Sequence, residues 1–153
     1  MAIEMQVMVE RDKVWEEVMT ASDYTGSKMM DRDPGARERI FMTDADAEEL
    51  GRLWDDARAA ASEMLKEVLV SVADVSTGDA PGVCFRVRIA GRYNTALTPD
   101  LTAALRSYFV DRMLADWCKW ADKEEAEVYY KTAAEKMGAV LRMVYHRERP
   151  RRG

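Results

Sequence analysis

The chain has 153 residues, 48% hydrophobic and 33% charged, with 23 Lys and Arg against 28 Asp and Glu and a formal net charge of −5. That length suits one domain with one core, and that composition excludes an intrinsically disordered chain. An acidic whole argues against general nucleic-acid binding, and neither a run of about 18 apolar residues nor a signal-peptide core is present, so a cytoplasmic protein making no membrane contact is expected.

Ile3, Met5, Val7 and Val9 alternate with Glu4, Gln6 and Glu10, which predicts a short N-terminal strand. Asp12 then reads as the cap of a short helix, with Val14, Trp15, Val18 and Met19 on one face and an end near Ala21. From Ser22 to Met42 no period persists. Gly26, the turn Asp33-Pro34-Gly35 and the charged run Arg37 to Arg39 predict a long loop, pinned to the body by Tyr24, Ile40 and Phe41.

Thr43, followed by Asp44 and Asp46, marks a helix start. Leu50, Leu53, Trp54, Ala57, Ala61, Met64, Leu65 and Val68 form the buried face of that helix, and Asp55, Asp56, Arg58, Glu63 and Glu67 its wet face. Residues 43 to 69 carry eight acids against Arg52, Arg58 and Lys66, which accounts for the whole net charge.

Val70 to Val75 and Val83 to Tyr93, joined through Gly78, Asp79, Pro81 and Gly82, predict a β-hairpin. Val83, Phe85, Val87 and Ile89 face one way in its second strand. Cys84, Arg86, Arg88 and Arg92 face the other, a cationic stripe with no acid nearby in sequence. A third element must cover the apolar face, because an isolated hairpin is marginal in water.

Thr98-Pro99-Asp100 starts a helix that should run to about Ala121, with Leu101, Leu105, Tyr108, Phe109, Met113, Trp117 and Trp120 on a broad face widened by Val110, Leu114 and Cys118. Asp122 with Glu125 resembles a capping box that turns the chain. Ala126, Tyr129, Tyr130, Ala133, Met137, Val140, Leu141, Val144 and Tyr145 then continue as a stripe toward the break at Pro150, which makes the last two helices an antiparallel hairpin.

The expected fold is mostly α, and α+β by content. Three main helices form a bundle ending in a helical hairpin, with a β-hairpin and a short N-terminal strand. In one domain, residues 1 to 42 form the strand, short helix and loop, 43 to 146 the helical body with the hairpin at 70 to 93, and 147 to 153 a basic tail.

Little in the chain points to catalysis. Its one histidine, His146, stands at the expected end of the last helix beside the basic tail, a poor place for a general base. Cys84 and Cys118 have no CxxC partner and read as free thiols. Asp44, Asp46, Glu48 and Glu49 lack the glycine and closing glutamate of a calcium loop, and Asp31 and Asp33 fail the same comparison with Gly35. Too few Cys and His exist for zinc, and no phosphate-cradling glycine loop occurs. Gly26 and Gly35 read as turn residues, Gly51 and Gly138 as close approaches between helices, and Asp111 and Asp116 as solvated helix surface. The expectation is no enzyme, no cofactor and no metal.

Surface remains. Arg86, Arg88 and Arg92 could meet the acidic face of Asp55 and Asp56 on a neighbouring copy, head to tail, with Tyr24 and Phe41 of the loop contributing. A strand edge guarded by charge is the alternative reading of the stripe. Arg147, Arg149, Arg151 and Arg152 could make weak nucleic-acid contact.

Ala57, Ala60 and Ala61 at core spacing, followed by Pro99-Asp100-Leu101, Tyr108, Arg112 and Leu114, and then by Glu124, Glu127, Tyr130, Ala133, Met137 and Leu141, form an order of elements. From Thr43 to Tyr145 this order resembles the small head-tail connector or head-completion proteins of tailed phages and Mu-like prophages. The phrases at Asp12 to Val18 and Tyr24 to Met29 also resemble uncharacterised prophage-associated proteins of gut Bacteroidetes. The resemblance implies a non-enzymatic virion assembly subunit that binds itself or neighbouring virion proteins. A small adaptor or regulatory module with one protein partner is the second reading.

Overall fold

In the computed structural model, residues 2–30, 33–75, 81–90 and 95–145 are described. Arg92, His146, Asp31, the expected turn residues Gly78 and Asp79, and the tail arginines 147, 149, 151 and 152 lie outside them. The fold is mostly helical with a small antiparallel sheet, as expected.

Strand β1 (Ala2–Glu10) runs straight into helix α1 (Arg11–Met29), and the amide of Arg11 donates to the Pro81 carbonyl at 2.9 Å across that junction. Asp12 therefore sits in the first turn and not at the cap. Neither does α1 stop near Ala21. Ser22, Thr25, Gly26 and Met29 are buried at helical spacing, so the helix continues on a stripe of small polar residues.

The expected loop is largely replaced by the end of α1 and by a short helix α2 (Ala36–Ile40). Ser22 joins the two ends of that segment: its hydroxyl donates to the Met19 carbonyl at 2.8 Å and accepts from the Met42 amide at 3.0 Å. Ile40 and Met42 are the apolar anchors here, Phe41 is half-buried, and Tyr24 is 71% exposed and anchors nothing. Gly26 is no turn but a contact point, since a Cβ there would lie 2.8 Å from the Arg37 Cα.

A tight turn at Asp44–Asp46 precedes helix α3 (Ala47–Met64). The Thr43 amide donates to the Asp46 carboxylate at 2.9 Å while the Ala45 amide donates to the Thr43 hydroxyl at 3.3 Å, so Thr43 opens the turn and Asp46, not Thr43, stands at the cap position of the helix. Leu50, Leu53, Trp54, Ala57, Ala61 and Leu65 are buried, whereas Met64 is exposed.

Strands β2 (Leu69–Val75) and β3 (Gly82–Ala90) pair antiparallel, and β1 adds to the other side of β3, giving the order β1-β3-β2. The N-terminal strand thus widens the hairpin to three strands, and the helices cover its apolar face. Val7, Val9, Val83, Phe85, Val87 and Ile89 point inward and are buried. Gly82 is required where β3 meets β1, because a Cβ there would collide with the Val9 carbonyl.

Helix α4 (Thr98–Cys118) is the most buried, with Leu101, Leu105, Tyr108, Phe109, Met113 and Leu114 in the main core. Phe109 packs against Trp54 at 4.8 Å and edge-on to Phe85 at 6.1 Å, which ties helix, helix and sheet together. Pro99 lies in its first turn as expected, but the Thr98 hydroxyl is turned to the Met5 sulfur at 3.3 Å instead of capping.

Helix α5 (Lys123–Val144) returns along α4, and Asp122 caps it by accepting from the Glu125 amide at 3.1 Å. Gly51 has open space where close approach was expected, and Gly138 faces only the Arg142 side chain of its own helix. Among the described residues no helix is long and apolar enough to cross a membrane.

Candidate interaction surface

The expected stripe on β3 is real in direction but different in setting. Arg86 and Arg88 are exposed on the outer face of the sheet, yet β1 brings Glu4 within 3.9 Å of both. Their strand is central, so the arginines guard no edge. Glu4 is far from β3 in sequence, which is why the stripe has no acid near it along the chain. The edge strand β2 instead directs Asp74 toward α3, where it pairs with Arg58 at 3.1 Å.

Asp55 and Asp56 are both exposed, as expected. They serve different places. Asp55 lines a smaller groove of about 310 Å³ with Trp15, Trp54 and Gly82, whereas Asp56 lines a cleft of about 540 Å³ between α2, α3 and the α4–α5 turn. Tyr24 lines a third groove along α1 with Lys13, Glu17 and Thr20. Phe41 lies under the Arg37 guanidinium at 4.7 Å, and Arg37 pairs with Asp23 at 2.8 Å. These residues therefore lie on separate parts of the surface.

The structure brings together another set. Arg39, Arg52, Asp56, Arg112, Trp117, Lys119 and Trp120 surround the 540 Å³ cleft. Helix α4 ends at Cys118, where the amides of Ala121 and Asp122 both turn back to the Cys118 carbonyl at 3.0 and 2.8 Å. Trp120 thus leaves the buried face on which helical spacing placed it and stands 88% exposed, with the Lys119 ammonium 5.4 Å from its ring. Trp117 stays half-buried and donates its indole N–H to the Ile40 carbonyl at 2.6 Å, so α2 forms one wall of the cleft.

The floor is held by a charged network, which overturns the expectation of solvated surface at Asp116. That residue is only 9% exposed, accepts from the Tyr130 hydroxyl at 2.5 Å and from Arg112 Nε at 3.2 Å, and is thereby satisfied on both oxygens. Burial and the adjacent carboxylate push the Tyr130 phenol up to about 12, so it remains a donor at any ordinary pH. Arg112 also covers the Tyr130 ring at 5.6 Å.

Of the other charges lining the cleft, Arg39 pairs with Asp33 and Arg52 with Glu49 at 3.3 Å. Hydrogen bonding to Arg39 holds the Asp33 carboxyl below the usual carboxylate range. Two charges remain over. Among the described residues neither Lys119 nor Asp56 has an ion-pair partner.

No cluster of His, Cys, Asp and Glu among the described residues has metal-holding geometry. Cys118 is fully buried, and its thiol is pushed up to about 12 by burial and by Glu125 and Asp122, which makes it a poor nucleophile. The arrangement is suited to recognition: an exposed indole, a shaped recess beside it and a floor whose buried carboxylate is hydrogen-bonded on both oxygens. No family model, curated protein or solved structure matches this chain.

Proposed function

We propose that this chain is a non-enzymatic assembly subunit, of the head-tail connector or head-completion kind that its order of elements resembles, and that it works through the cleft at the α4–α5 turn. The observation carrying this reading is Trp120, 88% exposed beside a cleft lined by three arginines. Tryptophan and arginine dominate the energetic centres of protein interfaces, and a tryptophan left almost wholly in water has no role in holding its own fold. Arg86, Arg88 and Asp55, exposed elsewhere, would serve as secondary contacts.

The test is association of the purified chain with the separately purified products of its neighbouring genes, which on this reading are portal, capsid and tail proteins, measured by co-sedimentation. Wild type should form a defined complex, and Trp120→Ala should weaken it about tenfold or more while leaving the melting temperature unchanged. Equal association by the variant removes the cleft from the reading. Binding to a single protein unrelated to virions would favour the adaptor reading.

A further inference from the structure

We infer that the cleft at the α4–α5 turn is self-complementary and that its occupant in the free protein is a second copy of this chain, related by a two-fold axis. The inference rests on the reading of this cleft as a docking surface and adds its partner. Nearly all the charge around the cleft is cancelled within the chain: Arg39 by Asp33, Arg52 by Glu49 and Arg112 by Asp116. Among the described residues lining the cleft, one cation, Lys119, and one anion, Asp56, are left uncancelled. Both are exposed, and among the described residues both are without an ion-pair partner.

A surface bearing one unpaired charge of each sign is its own complement. When a copy is turned about a two-fold axis through the cleft, Lys119 of each copy faces Asp56 of the other, and the same pair forms twice. Trp120 supplies the apolar area that surface ion pairs alone do not, since it is 88% exposed and its neighbour Lys119 already lies against the ring at 5.4 Å. A partner carrying only acid would leave Asp56 facing a like charge, and a partner carrying only base would do so at Lys119. The second copy satisfies both. Because one surface cannot hold two occupants, the dimer and any complex through Trp120 exclude one another.

Mixing two charge variants tests this. In Lys119→Glu each homodimer would place Glu against Asp56, and in Asp56→Lys it would place Lys against Lys119, so each variant alone should be at least about tenfold weaker in self-association than wild type. Mixed in equal amounts, the two variants face each other with opposite charges at both contacts, and a species of dimer mass should reappear in light scattering. Trp120→Ala should abolish the dimer by an independent route, with circular dichroism unchanged.

A wild type that remains monomeric at millimolar concentration overturns the inference, as does a mixture that stays monomeric or a mass larger than the dimer. A wild-type dimer indifferent to all three substitutions places the contact elsewhere and overturns it too. The assembly reading fails separately, when wild type forms no complex with the virion proteins.

Discussion

Asp111 and Asp116 lie little more than one turn apart on α4 and have different fates. Asp116 is buried with two donors on it, whereas Asp111 is half-buried and has its carboxyl pushed up to about 6, chiefly by burial, with Lys136 lowering it and Glu17 raising it further. A carboxyl with a folded-state pKa above its unfolded value binds its proton more tightly in the fold. Stability from this group is therefore full below 3.8, falls as pH rises toward about 6, and is flat above. Replacing Asp111 with Asn should raise stability at pH 7 by about 1 to 2 kcal/mol, once solvent screening of a half-buried group is allowed for, and change nothing below pH 4. Urea midpoints at pH 3.5 and 7 measure it, and a variant no more stable than wild type at pH 7 contradicts the assignment. Neither fate is visible in the sequence, because an acid between apolar helix residues defaults to surface unless its partner is known. Arg112 is within reach on the same helix, but Tyr130, the other partner of Asp116, is on the next.

At the level of elements, the sequence discloses most where apolar spacing carries the structure and least where small polar residues do. The sheet face of Val83, Phe85, Val87 and Ile89, the face of α3 up to Ala61, and the cap at Asp122 can all be read in advance. The second half of α1 cannot, since its buried stripe is Ser22, Thr25, Gly26 and Met29, with Thr25 hydrogen-bonded to the Tyr129 hydroxyl at 2.5 Å. The candidate site is hidden for a related reason: helical spacing extends α4 through Trp120, whereas the chain turns after Cys118. The Asp122 cap was the available signal, because a helix beginning there requires the previous one to have ended. Two glycines test the packing account. Gly26→Ala gains helix propensity of about 1 kcal/mol but drives a Cβ to 2.8 Å from backbone of α2, so a net loss of about 1 to 3 kcal/mol is expected. Gly51→Ala meets nothing within 4 Å and should stabilise by about 0.8 to 1 kcal/mol. Thermal melts of both variants decide it, and equal signs would refute the contrast.

At the scale of the whole fold, buried apolar side chains among the described residues form two clusters of unequal size. The larger joins the sheet to α1, α3, α4 and α5, and the smaller holds Met29, Ala36, Ile40, Cys118 and Ala126 beneath the cleft. Trp117 and Tyr129 border both, so the small cluster is linked to the large one by two half-buried aromatic residues and otherwise closed by short α2. Two alanines contribute little burial, and a cluster with so few large side chains should open at a lower free energy than the global transition. Cys118 reports on that opening, because its buried thiol is pushed up to about 12 and reacts only when exposed. Ile40→Val should cost about 0.5 to 1.5 kcal/mol locally and speed alkylation of Cys118 under native conditions by about two- to twelvefold. Leu105→Ala in the larger cluster should cost about 2 to 5 kcal/mol globally and yet leave native-state alkylation nearly unchanged, provided global unfolding remains rarer than local opening. Mass spectrometry after pulsed labelling separates Cys118 from the half-exposed Cys84. If Leu105→Ala accelerates Cys118 labelling by its full stability loss, the molecule opens only as one unit. If it does not, the floor of the cleft is its own cooperative element, able to yield when a partner docks on Trp120 without loosening the sheet.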